Sequence, residues 1–386
     1  MNKLTWVEIN LKAVEHNVRC LRVLAKKNKF YLPTRRNSKK YSYSHSQILA
    51  VIKADAYGHG AEQIGLLLQK EGIDYFAVSD VAEGIKLRKS GIKRPILLLE
   101  STLNEFVKEI FQYQLTPTIC TYELALALQQ RAKKLNRRCS IHIKVDTGMG
   151  RLGVWHQQAY EFIGRIHQLR NLTIHGLYTH FPAADTNHAF TREQIQTFYN
   201  LILRLDKSGI VIPFIHAANS MGLAGYKTHV LNLVRPGLML YGLYPQDKLK
   251  TKIHLKPVMS IKSRIIFLKN IEKGRSISYG RKFIARQSMK VATLPIGYSD
   301  GYSRLLSNKG DVLIKGQRCP ILGAVTMDQI VVDVSKVPNL QLGMPVTILG
   351  REGKEEVAAD ELARLAGTIN YEIVCNLGNR LAREYV

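Results

Sequence analysis

Gln47-Ile48-Leu49-Ala50-Val51-Ile52-Lys53-Ala54-Asp55-Ala56-Tyr57-Gly58-His59-Gly60 is an apolar, partly β-branched run that gives way to a polar loop closed by two glycines. Ile48 to Ala54 predicts a strand buried on both faces, as in a parallel sheet, because polar residues do not alternate through it. Lys53 then stands at the carboxyl end of that strand, partly out of water. Desolvation disfavours the charged ammonium, and a neutral amine is a nucleophile suited to forming a Schiff base with an aldehyde. A lysine at a strand end can also snorkel to solvent, so this residue alone does not decide its role.

Repetition of the run decides the fold. Further apolar runs follow at Tyr75 to Ser79, Pro95 to Leu99, Leu115 to Cys120, Ser140 to Val145, Leu172 to Thr179, Phe214 to Ala218 and Asn232 to Val234. Between most of them apolar residues recur at helical spacing, as in Tyr122 to Leu135 and in Arg192 to Leu205. Strand and helix alternating eight times predict an α/β protein, a (β/α)8 TIM barrel over 11–255, whose active site lies at the carboxyl ends of the strands. Past Gly242 the rhythm changes to short β-rich runs, among them Ser260 to Leu268, Lys290 to Leu294, Val312 to Lys315, Ile330 to Val334 and Pro345 to Leu349. These predict a mostly antiparallel β domain over 256–386, with one helix near Ala358 to Ala366 and with strand 1–10 joining it. Upstream, Leu11 to Lys27 reads as a helix. The polar stretch 26–46 carries Lys26, Lys27, Lys29, Arg35, Arg36, Lys39 and Lys40, no acid, and Pro33, which predicts an inserted basic loop.

The chain has 386 residues, enough for a barrel and a smaller domain, and 46% of them are hydrophobic. Its 56 Lys and Arg against 30 Asp and Glu give a formal charge of +26, which alone would suggest nucleic acid or an anionic membrane. The basic residues are scattered, however, and no nucleic-acid-binding motif occurs, so a basic surface without a specific nucleic-acid partner is expected. Cys20, Cys120, Cys139, Cys319 and Cys375 are odd in number and form no C-x-x-C pair, which argues against a disulfide framework or a metal site. The amino-terminal residues lack the apolar core of a signal peptide, and no run of about 18 apolar residues occurs. A cytoplasmic protein with no membrane contact is expected.

Several strand ends carry chemistry. Ile-Lys-Val-Asp-Thr-Gly-Met-Gly-Arg-Leu-Gly, 143–153, brings Lys144, Asp146 and Arg151 to the barrel mouth, with glycines that let backbone approach a ligand. His180 ends the sixth run, as a catalytic group or as a satisfied core histidine. After the seventh and eighth runs come His-Ala-Ala-Asn-Ser, 216–220, and Arg-Pro-Gly-Leu, 235–238. Barrels commonly bind phosphate in these two loops, and Ser220 with the backbone N–H groups of Gly237 and Leu238 supplies the donors.

The motif Val-Ile-Lys-Ala-Asp-Ala-Tyr-Gly-His-Gly, 51–60, resembles the cofactor-lysine motif of bacterial alanine racemases, and the strings at 143–153, 216–220 and 235–238 resemble that family too. So do Gly-Arg-Ser-Ile-Ser-Tyr-Gly, 274–280; Gly-Tyr-Ser-Asp-Gly-Tyr, 297–302; Gly-Ala-Val-Thr-Met-Asp-Gln, 323–329; and Thr-Ile-Asn-Tyr-Glu, 368–372. The likeness runs from residue 5 to 385; the basic insertion and Thr326, where a cysteine is common, depart from it. The resemblance implies pyridoxal 5'-phosphate held by Lys53 as a Schiff base, with Tyr57, Ser220, Gly237, Leu238 and Tyr371 on its phosphate. It implies Arg235 at the ring nitrogen, which an arginine keeps unprotonated because it does not give up its own proton; Arg235 paired with a surface acid is the alternative. Arg151 and Met327 would bind the substrate, Lys144, whose counterpart in the family can be carbamylated, would orient Arg151, and Asn219, Tyr298 and Asp328 would support the site. Interconversion of L- and D-alanine needs a base on each face of the α-carbon. Lys53 serves one face; by resemblance Tyr279 serves the other, aided by His180, within a homodimer whose β domains close each other's barrels, in a route supplying D-alanine to peptidoglycan. A racemase of broader specificity is a second reading. A non-catalytic pyridoxal-phosphate carrier is a third, disfavoured because such carriers lack the β domain.

Overall fold

The computed structural model describes residues 3–27, 46–226, 231–378 and 380–386. Most of the expected basic loop, 28–45, therefore lies outside the described residues, while Lys26 and Lys27 close the helix Leu11–Lys27 instead of opening a loop. At the far end of that stretch Ser46 is buried, its hydroxyl donating to the carbonyl of Leu231 at 2.8 Å.

Among the described residues, eight parallel strands form the barrel: Gln47–Val51, Tyr75–Val78, Ile96–Ser101, Thr116–Ile119, Cys139–Asp146, Leu172–Tyr178, Phe214–His216 and Leu233–Val234. They pair in sequence order, and the eighth returns to the first through Leu233 opposite Gln47. Between the seventh and eighth, Asn232 closes the ring: its N–H donates to the carbonyl of Ile215 at 3.1 Å and its side-chain carbonyl accepts from Ile215 N–H at 2.8 Å. Both faces of the first strand are buried from Ile48 to Val51, because helices cover the outside and side chains fill the inside. The helices Tyr122–Lys134 and His188–Lys207 stand where their periodicity places them.

The first run does not continue as strand to Ala54. It stops at Val51, and Ala54, Asp55, Ala56 and Tyr57 all take positive φ, between 51° and 55°, a left-handed turn that Gly58 ends at φ 81°. Each such residue costs about 1–2 kcal/mol, so the turn persists only where its surroundings fix it. Glu83 does much of this: one carboxylate oxygen accepts from Ala54 N–H at 2.6 Å and the other from Ser79 N–H at 2.7 Å. Asp55 accepts from Ala61 N–H at 2.9 Å, which joins the turn to the helix that follows. Glu83→Ala should therefore destabilise the fold by about 1–3 kcal/mol, measured by denaturant unfolding, since it leaves two N–H groups without their charged acceptor. A change of only a few tenths would show that the turn holds itself.

The β region is built mainly on the sheet Gln317–Pro320, Asp311–Ile314, Pro345–Glu352, Met259–Arg264, Thr5–Ile9 and Ala382–Tyr385, in that order. Its pairs are antiparallel except Thr5–Ile9 with Ala382–Tyr385, which run parallel. The expected run Ser260 to Leu268 is broken in two. At Ile265 and Ile266 the chain leaves this sheet for a second one, Phe267–Ile271 with Met289–Leu294 and Ile330–Asp333: Ile265 N–H still donates to Met344, but Ile266 N–H donates to Thr293. Apolar continuity hid the change of sheet. Among the described residues no helix is long and apolar enough to cross a membrane.

Candidate active site

A cavity of about 740 Å3 opens at the carboxyl ends of the barrel strands. It is lined by Lys53, Tyr57, Lys144, Arg151, His180, Asn219, Ser220, Arg235, Gly237, Leu238 and Tyr371, so eleven of the residues singled out in the sequence share one wall system. Lys53, half-buried, enters from the start of the left-handed turn, and the turn carries Tyr57 into the interior beside Tyr241 and Tyr371, with ring centroids 5.0 and 6.0 Å away. Burial raises the Tyr57 phenol well above its usual value and pushes Tyr371 up to about 12, so both remain neutral donors.

Opposite the tyrosines, Ser220 Oγ lies 3.2 Å from Gly237 N and 3.4 Å from Met239 N. Gly237 N–H is thus engaged with the serine and not left open, a correction to the sequence reading. Gly237 has room only for hydrogen: a Cβ there would stand 2.4 Å from the Tyr57 hydroxyl oxygen. Asn219 caps the short helix Ser220–Gly225 by accepting from Gly222 N–H at 2.9 Å. The hydroxyls of Tyr57, Tyr371 and Ser220 line this part of the cavity with the Gly237–Leu238 backbone, and the amine of Lys53 stands in the same cavity. This donor set suits a phosphate dianion carried on an aldehyde, and the close approach of Gly237 to Tyr57 makes the cradle narrow. The residues fit pyridoxal phosphate.

Arg235 is 4% exposed and makes no ion pair among the described residues, which removes the reading of a surface arginine paired with an acid. Its Nη2 donates to the carbonyls of Thr179 and Ala217 at 2.8 and 2.9 Å and lies 3.3 Å from His180 Nδ1, while Nη1 lies 2.7 Å from His216 Nδ1. An arginine only donates, so both histidines accept on Nδ1. Burial and then the Arg235 charge hold His180 and His216 well below the usual histidine range, so both are neutral. The chain continues inward: His216 Nε2 is 2.9 Å from His142 Nδ1, and Tyr178 stacks on His216 at 4.7 Å. Burial pushes Arg235 down to about 10, and it remains the cation of the network.

Lys144, 4% exposed, faces the same cavity with its Nζ 5.5 Å from the centre of the Tyr178 ring. Burial, then repulsion from Arg235 and Arg151, lowers it to about 8. Asp146 shapes the loop leading to Arg151 by accepting from the N–H groups of Gly148, Met149 and Gly150, each at 2.8 Å. Lys53, Lys144, Arg151 and Arg235 against Glu100 make the cavity strongly cationic, as binding a phosphate and a carboxylate requires.

Four expected residues are not brought to this cavity within the chain. Tyr279 is 74% exposed, Met327 53% and Tyr298 44%. They belong to neighbouring loops of the β region: Ser278 donates to the Ala324 carbonyl at 2.6 Å, and Ser299 Oγ donates to the Met327 carbonyl at 2.7 Å. Asp328 pairs with Arg380 at 2.8 Å. Conversely, Tyr178, His216, His142, Cys375 and Glu83 were not singled out. Tyr178 lies two residues before His180, the spacing that puts strand residues on one face, and Cys375 lies one helical turn beyond Tyr371; those two were within reach of periodicity. Among the described residues no cluster of His, Cys, Asp and Glu is arranged for a metal.

Two family models cover nearly all of the chain: the alanine racemase N-terminal domain matches residues 34–245 and the alanine racemase C-terminal domain matches 258–385. The alanine racemase of Halothermothrix orenii is 41% identical over 382 residues, covering 99% of this chain and 96% of that one. Among solved structures, alanine racemase of Clostridium difficile 630 superposes with a TM-score of 0.90 at 36% identity, over 100% of this chain and 96% of that one. Alanine racemase from Bartonella henselae with covalently bound pyridoxal phosphate gives 0.84 at 26% identity, with 100% of both chains covered. With both domains matched and the whole chain superposing on solved relatives, the chain belongs to the alanine racemase family of pyridoxal-phosphate-dependent isomerases.

Proposed function

We propose that the protein interconverts L- and D-alanine by a two-base route, with Lys53 and Tyr279 on opposite faces of the α-carbon, and that it works as a homodimer. The observation that carries this reading is the meeting of Lys53 with a phosphate cradle in one cationic cavity while the second base stands exposed in the β region. Bound pyridoxal phosphate supplies the electron-withdrawing ring that acidifies the α-proton. Residues 11–255 form the cofactor-binding body and 256–386, with strand 1–10, the body that closes a neighbouring barrel. The partner's Tyr279 reaches over the cavity and moves the proton on the face opposite Lys53, against a neutral His180 held by Arg235. Arg235, which can only donate, would keep a cofactor ring nitrogen held against it unprotonated and so would favour simple return of the proton. Arg151, with the partner's Met327, holds the substrate carboxylate; Tyr298 and Asp328 support that loop. Use in supplying D-alanine for peptidoglycan, in the cytoplasm, follows from this reading. Incubation with separate L-amino acids and resolution of the enantiomers tests it: D-alanine should form fastest, and an absence of any D-product with loaded enzyme would end the proposal.

Lys144 is the natural candidate for a carbamate, because an amine lowered to about 8 is neutral often enough to attack carbon dioxide. The new N–C bond forms as the nitrogen loses a proton, and an anion then replaces a cation beside Arg151. Without carbon dioxide the buried ammonium costs stability below pH 8, and the cost is relieved as pH rises through the window from 8 towards 10.5, the ordinary lysine value. Stability should therefore rise with pH across that window in carbonate-free buffer. Labelled bicarbonate should flatten this slope and give a carbamate carbon resonance, absent in Lys144→Met. No resonance in the wild-type protein at pH 8.5 would leave Lys144 an unmodified amine.

A further inference from the structure

Inside the barrel, His142 on the fifth strand, Cys139–Asp146, meets His216 on the seventh, Phe214–His216, across the strand between them. They can meet because that strand places Gly176 in register with His142 on one side and Phe214 on the other: a Cβ there would stand 2.3 Å from His142 Nδ1. Both imidazoles are fully buried. Burial, first of all, holds His142 down to about 3 and His216 well below the usual range, so both rings are neutral. Donors and acceptors then leave one arrangement. Arg235 Nη1 can only donate, so His216 Nδ1, 2.7 Å away, is bare and the ring carries its proton on Nε2. That N–H lies 2.9 Å from His142 Nδ1, which accepts it, and His142 keeps its own proton on Nε2. His142 Nε2 is buried and has no hydrogen-bond partner among the described residues.

A buried N–H left unpaired is costly, and a leucine would fill the same space without one. What the imidazole brings that leucine lacks is an acceptor on Nδ1. Without it His216 gains nothing by keeping its proton on Nε2, and its other tautomer aims an N–H at the Arg235 guanidinium. We propose that His142 is a positioning residue for alanine racemisation: by accepting from His216 Nε2–H it holds His216 in the tautomer whose bare Nδ1 anchors Arg235. Tyr178 fixes the ring plane, stacked on His216 at 4.7 Å and 7°. Tyr178 is itself held by Thr118, whose hydroxyl donates to the Leu98 carbonyl at 2.6 Å and so accepts from the Tyr178 hydroxyl at 2.7 Å. The inference rests on the proposed contact of Arg235 with the cofactor ring and not on the two-base route.

In the pyridoxal-phosphate-loaded enzyme with its histidines labelled with nitrogen-15, one Nε2–H should couple to a second histidine's Nδ1 across the hydrogen bond, and this coupling should vanish in His142→Leu. Two substitutions separate positioning from packing. His142→Asn puts its side-chain oxygen where Nδ1 stands and keeps the acceptor, yet leaves amide hydrogens unpaired; His142→Leu fills the space and loses the acceptor. The leucine variant should therefore be the more stable and the asparagine variant the more active. Racemisation should fall about ten-fold in His142→Leu, the effect of one buried hydrogen bond, and stay within about three-fold of wild type in His142→Asn. Pyridoxal phosphate labelled with nitrogen-15 gives a readout apart from rate: its ring-nitrogen signal should move in His142→Leu and not in His142→Asn. If His142→Asn does not fold, the wild-type coupling and the ring-nitrogen signal of His142→Leu still decide. Activity that follows stability, a wild-type His216 protonated on Nδ1, or a ring-nitrogen signal unmoved in His142→Leu would each overturn the proposal. Arg235→Lys tests the underlying contact by itself: an unmoved ring-nitrogen signal there would remove Arg235 from the ring, while the wild-type histidine coupling would stand.

Discussion

Lys53→Ala should lower alanine racemisation by about 10^4-fold or more, because one substitution removes both the cofactor's covalent anchor and the base on one face of the α-carbon. The cradle of Tyr57, Ser220, Gly237 and Tyr371 is untouched by this change, so the variant should still hold pyridoxal phosphate, now without a covalent bond. Borohydride reduction followed by peptide mapping separates the two effects. In the wild-type protein the cofactor should be fixed on Lys53, and in the variant no lysine should carry it. Lys144 is the informative competitor, since it lies in the same cavity with an amine lowered to about 8; label on Lys144 in the wild-type protein would reassign the anchor.

Tyr279→Phe should cost about 10^2- to 10^4-fold in racemisation with little effect on stability, because the side chain is 74% exposed and only its hydroxyl is lost. The two half-reactions should separate. Lys53 still takes and returns a proton on its own face, so in deuterated water one enantiomer should exchange its α-hydrogen at a rate well above that of racemisation, and the other should not. Equal loss of exchange for both enantiomers would mean that Tyr279 does not serve a single face.

The barrel was legible because a fully buried strand has a signature that survives without alignment: β-branched apolar runs, each followed by helical spacing. The placement of the candidate site was legible where motif and strand end coincide, as at Lys53, Arg235 and Ser220, which line one cavity. Three things were not. The left-handed turn from Ala54 to Tyr57 has no local signal, since neither alanine nor tyrosine prefers positive φ; it is imposed by Glu83, about 30 residues away in sequence, and by Asp55. The split of Ser260 to Leu268 between two sheets depends on long-range partners at Met344 and Thr293, which an apolar run does not name. The line from Arg235 through His216 to His142 joins three strands across the barrel interior, and each histidine read singly is an ordinary core residue.

Subunit exchange tests the shared two-base site most directly. Lys53→Ala and Tyr279→Phe, each inactive alone, are mixed in equal amounts under conditions that exchange protomers, with mass spectrometry of intact dimers to prove the exchange. Half of the dimers should then be mixed, each with one intact and one doubly damaged site, so about a quarter of the wild-type activity per site should return. Recovery near that level is the result expected if the barrel's Lys53 works with the partner's Tyr279. No recovery in a fully exchanged mixture, or a monomer that is active by itself in sedimentation, would contradict it and place both bases in one chain.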